Sequence, residues 1–192
     1  ELELFGLQFS DTDLVSLREC NAGENYTHIL YALVKFGGAD VSTVLEIGIG
    51  GSSVIIASVL AANRGVAPRL HSIDTDLDKP TLQMLETVQA LGVDWQVVHG
   101  DSLKVPLSLL PASVDLLYID GDHGGEHAIG DYRKFAPLVR AGGLVVFDDY
   151  PTFSGVSNGV LAIVAELTTE GVVGKTLTYN LQDGNSFYVI QR

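Results

Sequence analysis

The chain has 192 residues, enough for one domain with a sizeable core, and 46% of them are hydrophobic, too many for a disordered chain. Its 24 Asp and Glu outweigh 11 Lys and Arg, for a formal net charge of −13, and the basic residues stand singly apart from Arg133-Lys134, so no basic stripe awaits a nucleic-acid backbone or an anionic membrane surface. The longest apolar stretch, Val54 to Ala62, is too short to span a bilayer, no charged-then-apolar leader is read, and the lone Cys20 excludes an internal disulfide and suits a cytoplasmic setting.

In chain order, Asn21-Ala-Gly-Glu24 reads as a capping box opening a helix over 25–36. From about residue 42, short β-rich runs alternate with helical stretches. The runs are Thr43–Ile47, Arg69–Ile73, Trp95–Val98, Val114–Ile119 and Leu144–Phe147, with helices predicted near 52–63, 78–91 and 127–139. Runs such as VDLLYI and GLVVF are apolar throughout, as in parallel strands covered on both faces. Such alternation predicts a doubly wound, Rossmann-like α/β sheet. A further helix is predicted over 157–168. Two β-rich runs, Lys175–Asn180 and Ser186–Gln191, then flank Gln182-Asp183-Gly184-Asn185, an antiparallel hairpin signal. The expected organisation is a single domain, 1–192, with an N-terminal helical cap over 1–40 and the Rossmann-like core over 41–192.

The stretch VLEIGIGGSS, Val44 to Ser53, ends the first strand and opens a helix. Gly48 and Gly50 let the backbone turn tightly and approach a ligand, and the amides of the helix N-terminus favour an anionic group. Ser53 stands where the dinucleotide-binding pattern has a third glycine. Asp74 closes the second strand, where a carboxylate can accept both ribose hydroxyls. Asp101 closes the third, where it could accept from an adenine amino group. Both acids share the carboxyl edge with the glycine loop, the edge at which open α/β sheets bind ligands.

Asp120 ends the fourth strand, and Asp148 and Asp149 end the fifth. Ends of neighbouring parallel strands lie roughly 5 Å apart. Three carboxylates that close raise one another's pKa unless a cation intervenes, and an all-oxygen donor set suits Mg²⁺, with Ca²⁺ or Mn²⁺ as alternatives. Asp122 could substitute for Asp120 but reads better as a turn residue. His123, in the same loop, is placed to act as a general base. His127, one helical turn on, reads as outlying or solvent-facing.

VLEIGIGGSS, HSIDTD, GDSL, YIDGDH, PLVRAGG and FDDY stand in the order typical of class I S-adenosylmethionine-dependent methyltransferases. Over roughly residues 42–165 the chain resembles their metal-dependent small-molecule O-methyltransferase branch, the group of macrocin and mycinamicin O-methyltransferases and cephalosporin-hydroxylase-like proteins. The family's Ser-Tyr-Glu-like run after the histidine is Gly124-Gly125-Glu126 here. The resemblance implies a seven-stranded sheet with an antiparallel last strand, and Glu46, Gly48 and Gly50 lining the methionine part of the cofactor. Ser52 or Ser53 would support its carboxylate, Asp74 would hold the ribose, and Asp101 with Ser102 would flank adenine. Asp120, Asp148 and Asp149 would bind the metal, with His123 as the base. The expected partner is a small-molecule hydroxyl substrate, and a homo-oligomer stays open. Two competing readings are a nicotinamide-dependent oxidoreductase and a catalytically silent or hydroxylase-like cofactor-binding domain.

Overall fold

A computed structural model describes residues 3–4, 7–8, 25–36, 41–63, 67–76, 78, 82–122, 124–153, 156–157, 159–179 and 185–192. Seven strands form one sheet: β1 (Thr43–Ile47), β2 (Arg69–Asp74), β3 (Asp94–His99), β4 (Val114–Ile119), β5 (Val139–Tyr150), β6 (Lys175–Thr178) and β7 (Ser186–Gln191). Their spatial order is β6-β7-β5-β4-β1-β2-β3. β3, β2, β1, β4 and β5 pair in parallel, while β7 runs antiparallel to both β5 and β6. This is the doubly wound α/β sheet with an antiparallel C-terminal hairpin expected from the strand pattern. Residues 3–4 and 7–8 form a small antiparallel pair, as do 152–153 and 156–157.

The helices are α1 (Asn25–Phe36), α2 (Gly51–Ala62), α3 (Leu82–Ala90), α4 (Gly125–Phe135) and α5 (Gly159–Thr169). Side chains alternate across a strand with period two. Val44, Leu116, Tyr118, Leu144, Val146, Phe187 and Val189 therefore pack with Leu30, Leu33, Ile56, Leu60 and Val88 of α1, α2 and α3. Leu45, Leu117, Ile119, Val145, Phe147, Tyr188 and Ile190 pack with Ala128, Phe135, Ile163 and Leu167 of α4 and α5 on the other face. Both faces of the sheet are covered, which is why the central strands carry near-continuous apolar runs such as Leu116–Ile119 and Leu144–Phe147. None of the described helices is long and apolar enough to cross a membrane.

The structure departs from the sequence expectation chiefly at β5, which starts at Val139 rather than Leu144. Gly142, at φ +77°, and Gly143 make the early start possible. A Cβ on Gly143 would lie 2.6 Å from the Asp115 carbonyl oxygen, so the strand can pass there only without a side chain. The Asn21–Glu24 cap and the Gln182–Gly184 part of the hairpin turn lie outside the described residues.

β1 marks the point where the chain reverses direction across the sheet, with β2 and β3 on one side and β4 and β5 on the other. The carboxyl ends are stitched by backbone bonds: Gly48 donates to Ile73 (2.9 Å), Asp120 to Ile47 (2.9 Å) and Gly100 to Asp74 (2.8 Å). The loops after β1, β2, β3 and β4 thus leave the sheet side by side, where a doubly wound sheet opens a ligand crevice.

Candidate active site

That crevice holds a cavity of about 350 Å³ lined by residues from all four loops: Ile47 and Gly48, Ile73 to Thr75, Gly100 to Ser102, and Gly121 and Asp122, with His127 of α4. Gly48, Asp74, Asp101 and Ser102, four of the residues singled out in the sequence, meet here. Gly48 adopts φ +92°, and a Cβ on it would sit 2.1 Å from the Asp120 carbonyl oxygen. Asp74 is nearly buried, and its carboxylate accepts the Ile49 amide (2.8 Å) and the Asp76 amide (2.9 Å). It is thereby held against the glycine loop at the wall of the cavity. Asp101 accepts the Leu103 amide (3.0 Å) and pairs with Lys104 (2.7 Å). The hydrogen bond from Lys104, then that from the Leu103 amide, lowers its pKa.

Glu46, Gly50, Ser52 and Ser53, also singled out in the sequence, are not among the residues lining that cavity. Glu46 is fully buried beneath the loop. It accepts from the hydroxyls of Ser52 (2.9 Å), Ser53 (2.7 Å) and Ser72 (2.7 Å). Ser72 in turn accepts from the Trp95 indole (2.9 Å). One carboxyl group thus ties β1, β2, β3 and the first turn of α2 together, with the two α2 serine hydroxyls turned to it in the protein interior. Burial lifts the Glu46 pKa to about 7 against the lowering effect of the serine bonds. Gly50, at φ −166°, is in extended backbone open to any residue.

The acidic convergence at the ends of β4 and β5 is present, but tyrosines mediate it. Tyr118, wholly buried two residues before Asp120, donates to Asp148 (2.6 Å) and reaches Asp120 (3.4 Å). Tyr179 donates to Asp148 (2.8 Å) and Asp149 (3.0 Å). Tyr26 of α1 meets the Tyr118 hydroxyl at 2.5 Å. Asp149 sits at φ +53°, and its amide bonds Asp148 (2.7 Å). Burial first, then the charges of Asp148, Asp149 and Glu46, pushes Asp120 up to about 9. Burial likewise raises all three tyrosines, with the same aspartates adding to it. Three carboxylates with one partner in conflict are, by donor chemistry and charge, a fit for a hard divalent cation. Among the described residues, however, no three Asp, Glu, His or Cys form a ready-made metal group. Asp148 is committed to tyrosine hydroxyls instead. His123 lies outside the described residues.

The sequence profile of the family described as a methyltransferase domain matches residues 45–150, more than half of the chain. The chain belongs to this family. The methyltransferase domain is 26% identical over 146 residues to an Arabidopsis thaliana protein provisionally named caffeoyl-CoA O-methyltransferase, covering 74% of this chain and 60% of that one. It is 34% identical over 84 residues to an uncharacterized protein of Acanthamoeba polyphaga mimivirus, covering 44% and 38%. The chain thus spans less than two thirds of the length of either curated relative. Among solved structures it is similar to CalS11, a TDP-rhamnose 3'-O-methyltransferase of calicheamicin biosynthesis, with a TM-score of 0.66, 16% identity, and 95% and 80% of the two chains covered. It is also similar to an O-methyltransferase from Bacillus cereus in complex with S-adenosylhomocysteine, with a TM-score of 0.64, 16% identity, and 96% and 92% covered. At these identities the likeness is one of fold.

Sequence reasoning missed several residues of the methyltransferase domain's site. Tyr118 carried a signal, because period two puts it on the same side of β4 as Asp120. Tyr26 and Tyr179 carried none, since they reach the cluster from α1 and from just beyond β6. His127, read as outlying, lines the cavity, with Nδ1 3.1 Å from Asp122 and Nε2 3.8 Å from Asp101. Asp122 takes the turn role expected of it, accepting the Gly124 amide (2.8 Å).

Proposed function

We propose that the domain binds S-adenosylmethionine in the carboxyl-edge cavity and transfers its methyl group to a hydroxyl of a small molecule. The observation that carries this reading is the cavity itself, which gathers Gly48, Asp74, Asp101 and Ser102 and ends at Gly121, beside the acidic cluster. In this reading Gly48 lets the cofactor's methionine end approach the backbone, Asp74 receives the ribose hydroxyls, and Asp101 with Ser102 flanks the adenine. The curated and structural relatives named for O-methyl transfer support the choice of oxygen as acceptor.

Methyl transfer from a sulfonium leaves a neutral thioether and releases the proton of the attacking hydroxyl. The protein must aim the oxygen and take that proton; the leaving group is already good. Holding oxygen and methyl in line supplies much of the acceleration. His123, three residues past Asp120, is the proposed base. Asp120, Asp148 and Asp149 would hold a divalent cation, Mg²⁺ by donor type, and such an ion supplies Lewis-acid activation of the hydroxyl. Tyr118 and Tyr179 fix the Asp148 carboxylate, and Tyr26 links α1 to that network.

Calorimetric titration with S-adenosylhomocysteine and with NAD tests the cofactor, and binding of NAD alone would sink the reading. An Asp148→Ala, Asp149→Ala double variant tests the acidic cluster. It is expected to keep S-adenosylhomocysteine affinity within about threefold while losing at least a hundredfold in turnover of an accepted alcohol or phenol, the scale of a lost electrostatic or metal contribution. Normal methylation by the double variant would remove the metal from the proposal.

A further inference from the structure

The sheet ends at β3, away from the acidic cluster. Among the described residues β3 pairs with β2 alone. The Asp94 amide donates to the Pro68 carbonyl and the Gly100 amide to that of Asp74, so both point into the sheet. Backbone direction alternates along a strand. The N–H and C=O groups of Trp95, Val97 and His99 therefore point outward, as a row able to receive another strand. Edge strands are commonly blunted by a lysine, a proline or a bulge. β3, with the sequence DWQVVH and an unbroken register against β2, has none of these.

α3, beside this edge, buries little of itself: Val88 is its one buried residue. Leu82, Leu85 and Gln89 share a face by their i, i+3, i+7 spacing, and Leu82 is 79% exposed. Between α3 and the start of β3 lies a groove of about 290 Å³ lined by Leu85, Val88, Gln89, Val93, Asp94 and Trp95. An apolar knob thus stands one helical turn from an apolar socket, and Trp95 joins the socket to the free edge. α3 runs back toward the amino end of β3, where the Val93 amide bonds the Val88 carbonyl. Leu82 therefore lies toward the carboxyl end of β3 and the socket toward its amino end.

That arrangement is self-complementary. A two-fold interface uses the same patch on both copies, and an antiparallel pairing exchanges the two ends of the strand. The knob of each copy then meets the socket of the other. We propose that the β3 edge and the outer face of α3 form a dimerisation surface for a second copy of this chain, with the two β3 strands antiparallel about an axis at Val97 and each Leu82 seated in the opposite groove. This surface is independent of the methyl-transfer reading. No Lys or Arg lines the groove, and the chain carries a formal net charge of −13, so apolar burial and strand pairing must hold the copies together against like charge. The nine residues of α3 and six of β3 fall short of the roughly 20 to 30 a side of a standard interface, which places the dissociation constant in the micromolar range.

Sedimentation equilibrium on the chain from ~1 to ~200 µM tests this. The wild type is expected to move from 20.5 kDa toward twice that mass across the series. Leu82→Ser, which leaves the charge unchanged and touches a highly exposed site, is expected to raise the dissociation constant at least about tenfold. Val97→Pro, which removes an outward amide that the sheet does not use, is expected to do the same. Val173→Ser, equally exposed but beside the opposite edge strand β6, should leave it within about twofold. Added salt should tighten the dimer by screening its like charges. A chain monomeric throughout, a dimer indifferent to Leu82→Ser and Val97→Pro, or one that loosens in salt would overturn the proposal. So would a monomer whose Trp95 fluorescence answers instead to a cationic amphipathic peptide, since that would assign the groove to a basic partner.

Discussion

A Gly48→Ala substitution is expected to cost roughly 3 kcal/mol or more of folding stability, and at least tenfold in S-adenosylhomocysteine affinity. Two independent effects add at this position. The backbone stands at φ +92°, outside the range an L side chain adopts without strain. The new methyl would also lie 2.1 Å from the Asp120 carbonyl oxygen and 2.7 Å from its carbon. These are backbone atoms of the neighbouring strand end, anchored by the Asp120 amide on Ile47, so no rotamer change relieves the overlap. The ends of β1 and β4 must separate, which moves Gly121 and the acidic cluster away from the glycine loop. Gly51→Ala is the matched control: nothing lies within 4 Å of its added Cβ, and it sits at the start of α2. Urea unfolding and ligand titration of the two variants should differ sharply. Equal behaviour would mean the loop tolerates a side chain at Gly48 and is not built for close approach.

Glu46 gives the second large effect, in the pH dependence of stability. Its pKa rises from the ordinary 4.5 to about 7 on folding, chiefly through burial. Below pH 4.5 the carboxyl group is protonated in both states, and the folded state has its full advantage. As pH rises from 4.5 to about 7 the unfolded chain releases the proton first, so stability from this group is progressively lost. The full shift corresponds to roughly 3 kcal/mol. Glu46→Gln removes the titration but keeps a side chain that can hydrogen-bond Ser52, Ser53 and Ser72. The stability of this variant relative to wild type should improve by roughly 2 to 3 kcal/mol between pH 5 and pH 8 in urea unfolding. A gap independent of pH would show that Glu46 stays ionised in the fold, held by its serines.

The sheet was legible because its signals are local. Continuous apolar runs such as Val114–Ile119 reflect burial on both faces, and each run fell on a strand. The register of the glycine loop with Asp74 and Asp101 was legible for the same reason, since parallel strands in a doubly wound sheet deliver their carboxyl ends to one edge. Where a side chain points was less accessible. Glu46, Ser52 and Ser53 sit in the motif that suggested ligand contact, yet whether a carboxylate near a strand end faces a cavity or the interior depends on what packs beneath it. Here Ser72 and the Trp95 indole, from two other strands, draw it inward.

From the order of its residues alone, this chain determined a doubly wound sheet with a C-terminal hairpin, its carboxyl-edge crevice, and the placing of Asp120, Asp148 and Asp149 at strand ends on that edge, because strand burial is encoded in local pattern. The count of seven strands came from the family resemblance. Only the tertiary structure decided that Tyr26, Tyr118 and Tyr179 occupy those carboxylates and that Lys134 of α4 holds the turn after Asp101 by the carbonyls of Ser102 and Val105. These contacts join residues 29 to 92 positions apart. At such separations no periodicity links the partners, and hydrogen-bond geometry is set by how helices seat on the sheet rather than by sequence spacing.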